Sequence, residues 1–240
     1  SEILFFFKGS NQIIIVWFIS ILICSLLAFL IGYFSLRTSG VYFIMITLAF
    51  AQMLYYFSIS WPAYGGEDGL SIYVRNLFPL FNTMNPMIFY FICLAWLVIF
   101  LSSLKVILNS PLGLVLKSCK ANEERVKSVG INPFKVKLIA FVISGAITGL
   151  AGSLYTDLNR FVSPSVLSWH MSGEIMVLVI LGGVARLYGP ILGAVFYIIL
   201  EQTLGGISEN WQFWLGFIII LEVLFARAGL MSFFLKENRS

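Results

Sequence analysis

Charge is what this sequence has least of. Asp, Glu, Lys and Arg make up 11% of its 240 residues, against about 25% in an average soluble domain. Four long stretches carry none: between Lys8 and Arg37, Arg37 and Glu67, Arg75 and Lys105, and Lys137 and Asp157. A water-soluble globular domain does not leave such stretches uncharged. Histidine is nearly absent too, with His170 alone. No H-E-x-x-H and no paired-cysteine motif accompanies it, so metal-dependent and hydrolytic chemistry find no support, and no metal or other cofactor is expected. No G-x-x-x-x-G-K-[ST] occurs, so the chain does not bind ATP in the P-loop manner by itself. The three cysteines, Cys24, Cys93 and Cys119, are odd in number and imply no disulfide framework. They read as small buried residues. No basic stretch precedes the first apolar run, so there is no secretory signal to read.

What is present is apolar. Hydrophobic residues reach 60% and the mean hydropathy is +0.96. A hydrocarbon core of about 30 Å is crossed by about 20 apolar residues in a helix. The runs are continuous rather than alternating, which excludes a transmembrane barrel. The fold class is therefore all-α: a polytopic transmembrane helical bundle of about seven spans, with 1–240 as a single membrane-embedded domain. Spans are expected near 13–34, 41–59, 87–104, 138–155 and 211–225. Between the last two lie two shorter runs, 175–185 and 187–200. Gly182, Gly183, Gly189, Pro190 and Gly193 punctuate them. Residues 173–204 read as a short Gly/Pro-rich hairpin, either spanning or re-entrant.

The basic residues orient the chain. With the 105–137 loop in the cytoplasm, the inside set is Arg37, Lys105, Lys117, Lys120, Arg125, Lys127, Lys135, Lys137, Arg186, Arg227, Lys236 and Arg239. Only Lys8, Arg75 and Arg160 fall outside. This is a strong positive-inside asymmetry, and it accounts for the net charge of +4 without any nucleic-acid partner. It also puts the N-terminus outside, so at least one further span is expected upstream of Ser1. The protein is expected in the plasma (inner) membrane, multi-pass, in contact with lipid.

Within the basic loop, residues 122–130 read as a short helix. Asn122 suits the N-cap. Glu123 and Glu124 lie in the first turn, where the helix dipole favours them. Glu123 and Lys127 are spaced i,i+4. Gly130 suits the C′ position. Val126 and Val129 share an apolar edge. Such a helix, held between two spans, is either a knob for a soluble partner or a solvated connection. Gly145, Gly149 and Gly152 form small-xxx-small pairs that let helices approach closely in lipid; plain packing explains them, and a sliding surface beside a pathway is the functional alternative. Thr47 and Gln52 are the notable polar side chains of the second span. Glu222 lies in the last span, read as near the cytoplasmic interface and otherwise facing a cavity. His170, near Asp157 and Glu174, reads as an interfacial residue rather than part of a site.

ANEERVKSVGINPFKVKLIAFVISGAITGLAGSLY (121–155) resembles the coupling loop and following span of a known family. So do LRTSGVYFIMITLAFAQ (36–52), GGEDGL (65–70), LGGVARLYGPILGA (181–194) and LFARAGL (224–230). The family is that of permease subunits of branched-chain amino-acid ABC importers and their urea and amide relatives. Glu124 and Gly130 match the Glu-to-Gly spacing of its coupling loop; Arg186, Ala226 and Glu222 depart from its usual residues.

The resemblance implies a transport subunit, not an enzyme. Its partners would be ATP-binding cassette ATPase subunits, a homologous second permease subunit and an external solute-binding protein. It assigns ATPase coupling to Asn122, Glu123, Glu124, Val126, Val129 and Gly130. The Gly/Pro punctuation of 181–194 and the polar pair of the second span mark Thr47, Gln52, Gly182, Gly183, Gly189 and Pro190 as residues along the pathway. A branched-chain amino acid is the first solute expected, with urea or a short amide next. The rival from another class is an ATP-independent secondary transporter or channel for small polar solutes. That rival calls for paired intramembrane charges, and only Glu222 offers itself.

Overall fold

The computed structural model describes residues 2–3, 7–8, 12–62, 65–72, 85–184, 186–207 and 211–225. The expected basic tail (Arg227, Lys236, Arg239), Arg75, Ala185 and the 226–230 end of the LFARAGL motif lie outside them, as does the side chain of Glu222. The chain divides into two compact units, Ser1–Ser168 and Trp169–Ser240.

The first unit holds the helices α1 (Ile13–Ser35), α2 (Val41–Ile59), α3 (Pro86–Asn109), α4 (Pro111–Ala121), α5 (Glu123–Ser128) and α6 (Pro133–Asn159). A short antiparallel pairing of β1 (Glu2–Ile3) with β2 (Phe7–Lys8) precedes them. Helices α1, α2, α3 and α6 are each long and apolar enough to cross a membrane. Their outer surfaces are covered with exposed Phe, Leu, Ile and Met side chains, which suits helices whose solvent is lipid. The all-α membrane architecture read from composition is therefore what the chain forms.

Helix α6 packs chiefly on α1, antiparallel to it. A Cβ built on Gly145 would lie 2.4 Å from the Ala28 Cβ, and one on Gly149 would lie 2.6 Å from the Cys24 Cβ. Gly32 of α1 faces Phe141 and Leu138 in the same way, at 2.9 and 3.0 Å. Ser20 Oγ donates to the Gly149 carbonyl at 2.7 Å. Two of the three glycines in the small-residue stripe thus serve close helix packing. Gly152 does not: nothing lies within 4 Å of its would-be Cβ. Trp17 meets Trp96 edge to face at 5.4 Å, tying α1 to α3.

At one end of this unit, Gly65 to Gly69 makes a tight turn, and β3 (Leu70–Ser71) pairs antiparallel with β4 (Phe161–Val162) just after α6. Gly69, at φ +77°, passes so close that a Cβ would lie 2.4 Å from the Val162 carbonyl. The GGEDGL stretch is thereby pinned beneath the end of α6, leaving Glu67 and Asp68 exposed at its tip. A single turn of 3-10 helix, Pro164–Leu167, follows β4 and lies against α2.

At the other end, the 105–137 segment differs from the loop expected. Helix α3 runs on to Asn109, α4 follows, and α6 begins at Pro133. Three helices of this unit start on a capping residue followed by proline: α3 at Asn85-Pro86, at the opposite end, and α4 and α6 here, at Ser110-Pro111 and Asn132-Pro133. Proline has no N–H to lose at that position and its φ is already helical. Asn85 and Asn132 accept from the N–H groups of Met87 and Phe134 at 3.1 and 3.0 Å.

The second unit holds α7 (Trp169–Gly182), α8 (Gly189–Ile207) and α9 (Trp211–Phe225). Helix α7 has 14 residues, about 21 Å at 1.5 Å per residue, and is as short as the punctuated sequence suggested.

Candidate functional site

Helix α5 is short, and its ends are fixed by its own sequence. Asn122 is the C-cap of α4 and the N-cap of α5; its side chain accepts from the Arg125 N–H at 3.1 Å. At the other end Gly130 has φ +85°, the left-handed C′ conformation expected of it. Two bonds close the terminus: Gly130 N–H to the Lys127 carbonyl at 2.9 Å, and Ile131 N–H to the Val126 carbonyl at 3.3 Å. These are the paired bonds of a Schellman motif. The six residues assigned to coupling are thus brought together as one capped turn and a half.

The ion pairs differ from the i,i+4 pairing expected. Glu124 accepts from Lys127 at 2.8 Å, an i,i+3 pair. Glu123 turns away and pairs with Lys137 on α6. Spacing along one helix could not reveal that a second helix starts close enough to compete. The hydrogen bond from Lys127 to Glu124, and then the charge of that carboxylate, raise the Lys127 pKa above the usual lysine range. A raised lysine pKa favours the folded state below the unfolded pKa and loses that effect as pH rises through the folded one. On the alkaline side the pair therefore persists past neutral pH and is lost as Lys127 gives up its proton.

The two valines do not share a fate. Val126 is 7% exposed and Val129 is 75% exposed. Val126 anchors α5 to the protein, and Val129 is left as an apolar residue on a charged, exposed surface. The α4–α6 segment that contains it also carries Lys117, Lys120, Arg125 and Lys135, all exposed. Arg37, in the α1–α2 turn, lies over the rings of Tyr33 and Phe134, 4.4 and 6.0 Å from their centroids. This places the α1–α2 turn and the start of α6 at the same end. Of the described charges in this unit, that end collects Arg37 and the seven basic residues of 105–137, together with Glu123 and Glu124. The opposite end has Glu67, Asp68, Asp157 and Arg160.

In the second unit, the hairpin residues come together as predicted. Gly182, Gly183 and Gly189 are buried where α7 turns into α8. A Cβ on Gly182 would lie 1.8 Å from the Gly189 carbonyl, and one on Gly193 would lie 2.0 Å from the Leu178 carbonyl. Gly183 has φ +107°. Pro190 sits in the first turn of α8, as expected. Arg186 is half-buried in the turn and Val184 is exposed.

Thr47 and Gln52 lie on α2, in the first unit. The Thr47 hydroxyl is taken up by its own helix, at 3.0 Å from the Phe43 carbonyl and 2.9 Å from that of Ile44. Five residues apart, the two side chains point about 140° away from each other around the helix, so they do not form a shared polar face. His170 is exposed and stacks on Trp169, 4.0 Å between ring centroids. Among the described residues no cluster of His, Cys, Asp and Glu could hold a metal. Sequence reasoning missed α4 and the Glu123–Lys137 pair; Ser110-Pro111 was the signal for the first, and the second had no local signal.

Residues 4–224 match the family described as the permease component of the branched-chain amino acid transport system. This chain belongs to that family. Among its relatives is the high-affinity branched-chain amino acid transport system permease protein LivM of Salmonella typhimurium, 27% identical over 234 residues, covering 88% of this chain and 55% of that protein. LivM of Escherichia coli is 26% identical over 227 residues, covering 85% and 53%. A ribose import permease protein, RbsC of Haemophilus influenzae, is 26% identical over 136 residues, covering 54% and 42%. The chain thus spans about half the length of the first two relatives. No solved structure matches it. The family is one of transport permeases, and among the described residues four helices of this chain are long and apolar enough to cross a membrane.

Proposed function

We propose that this permease-family chain forms the membrane path of an ABC importer that carries a branched-chain amino acid into the cytoplasm, with urea or a short amide as the next candidates. ATP is hydrolysed on a separate subunit, which contacts α5. A homologous second permease subunit completes the path, and an external solute-binding protein delivers the solute. Residues 1–240 act in this as one membrane-embedded domain, with 105–137 as its cytoplasmic coupling segment.

The observation that carries this reading is α5 itself. It is a helix too short to be stable alone, capped at both ends, anchored by Val126, and presenting Val129 and several charges outward at the basic end of the chain. A connection with no partner has no use for that construction. On this reading Asn122 and Gly130 shape the contact, Glu123 and Glu124 orient it, and Val129 fills a pocket on the ATPase. Gly182, Gly183, Gly189 and Pro190 border the path near its cytoplasmic end, and Thr47 and Gln52 lie along it.

The test is uptake into proteoliposomes by the full complex, over a panel of leucine, glutamate, urea, acetamide and ribose. Leucine should enter only when ATP and the solute-binding protein are both supplied. Uptake without ATP would overturn the proposal in favour of a secondary transporter. Selective uptake of ribose would keep the importer and change its solute.

A further inference from the structure

Which neighbour does α5 follow when it is pushed? Its covalent ties differ. A single extended residue, Asn122, joins it to α4, at φ −163° and ψ 109°. Four residues, 129–132, join it to α6, and these are locked by the Schellman bonds at one end and by the Asn132 cap with Pro133 at the other. Among the described residues, the tertiary ion pair of α5 goes the same way, from Glu123 to Lys137 fourteen residues on. Its side chains are 45% and 33% exposed, against 82% and 54% for Glu124 and Lys127. It is the less solvated and so the less screened of the two. Lys137 lies in the second turn of α6, one residue before the uncharged stretch that packs on α1.

We propose that Glu123 and Lys137 are a positioning pair that latches α5 to α6, so that displacement of α5 is carried into the membrane through α6 and its α1 seam as well as through α4, on which α5 also packs. The proposal rests on the reading of α5 as the ATPase contact. The route beyond the latch is physically continuous: Gly145 and Gly149 bring α6 into close contact with Ala28 and Cys24, and Ser20 bonds to the Gly149 carbonyl. At its far end α6 is tied through β4 to the Gly65–Gly69 turn. One helix therefore joins the α5 surface to the opposite end of the Ser1–Ser168 unit.

The test uses the assembled importer in proteoliposomes and reads solute moved per ATP hydrolysed. Glu123→Gln and Lys137→Gln should each lower that ratio about two- to fivefold, the range a half-exposed ion pair supports. The swap Glu123→Lys with Lys137→Glu should restore most of it, which a loss of folding would not allow. In a background with Cys24, Cys93 and Cys119 replaced by serine, Glu123→Cys with Lys137→Cys should be bridged by a short bis-maleimide, and the bridged complex should still transport. Arrest of uptake by the cross-link, or no rescue by the swap, overturns the latch. Val129→Asp separates the two readings. If it releases the ATPase while both single variants are silent, only the latch falls. If the ATPase stays bound and coupled in Val129→Asp, the α5 contact falls and the latch with it.

Discussion

Gly130 shows how much a single residue position can decide. Its φ of +85° lies where an L side chain costs about 1–2 kcal/mol, yet nothing lies within 4 Å of its would-be Cβ. Strain, not collision, is therefore what a substitution there introduces. Gly130→Val should leave the protein inserted but lower uptake per ATP, because the Schellman bonds that set the exit of α5 are lost; normal coupling at equal expression would refute this. Gly149 and Gly152 make the opposite contrast. Gly149→Val drives a branched side chain into Cys24 and the Ser20 carbonyl, 2.6 and 2.9 Å away, and should cost about 1–3 kcal/mol. Gly152→Ala meets nothing and should stabilise α6 by up to about 1 kcal/mol. Thermal melts of the purified protein in detergent should move in opposite directions for the two. The stripe of three glycines was legible in the sequence. Which of the three were packed was not, because that depends on the rotation of α6 against a helix more than a hundred residues away.

Among elements, the α7–α8 hairpin and α5 were the most legible, since glycine, proline and asparagine act within a few residues of where they stand. The rest of the 105–137 segment was the least. Its charges marked it as a loop, and the Ser110-Pro111 and Asn132-Pro133 starts that make it helical were outweighed by them. Within the hairpin, the buried turn tolerates no Cβ at Gly182, so Gly182→Ala should disrupt assembly. Gly183 is buried in the same turn at φ +107°, where any L side chain is strained, so Gly183→Leu should block uptake. Val184 is exposed at the same turn. Val184→Cys should change its reactivity to a small thiol reagent between nucleotide-free and ATP-bound complexes. Equal reactivity in both, with normal uptake by Gly183→Leu, would leave the hairpin as a turn and no more.

For the molecule as a whole, orientation is the first thing to test. The two ends of the Ser1–Ser168 unit carry different charge, as the positive-inside rule required of the sequence. Ser71, beside the acidic turn, and Ser118, on α4, are both exposed and lie at opposite ends. In a cysteine-free background, Ser71→Cys should label from outside intact cells and Ser118→Cys only after permeabilisation; labelling of both from outside would invert the topology. The antiparallel seam between α1 and α6 also has a consequence for how the protein is made. The Ser20 hydroxyl and the Gly149 carbonyl it bonds are 129 residues apart. A ribosome adding about 5–20 residues per second leaves α1 in the bilayer for several seconds before its partner has been synthesised. During that interval the groove around Gly32 and Ala28 faces lipid or whatever helix stands nearby. Released chains truncated after residue 132 should therefore be degraded faster in a pulse-chase than released chains truncated after residue 168, in which α6 is present and the seam can close.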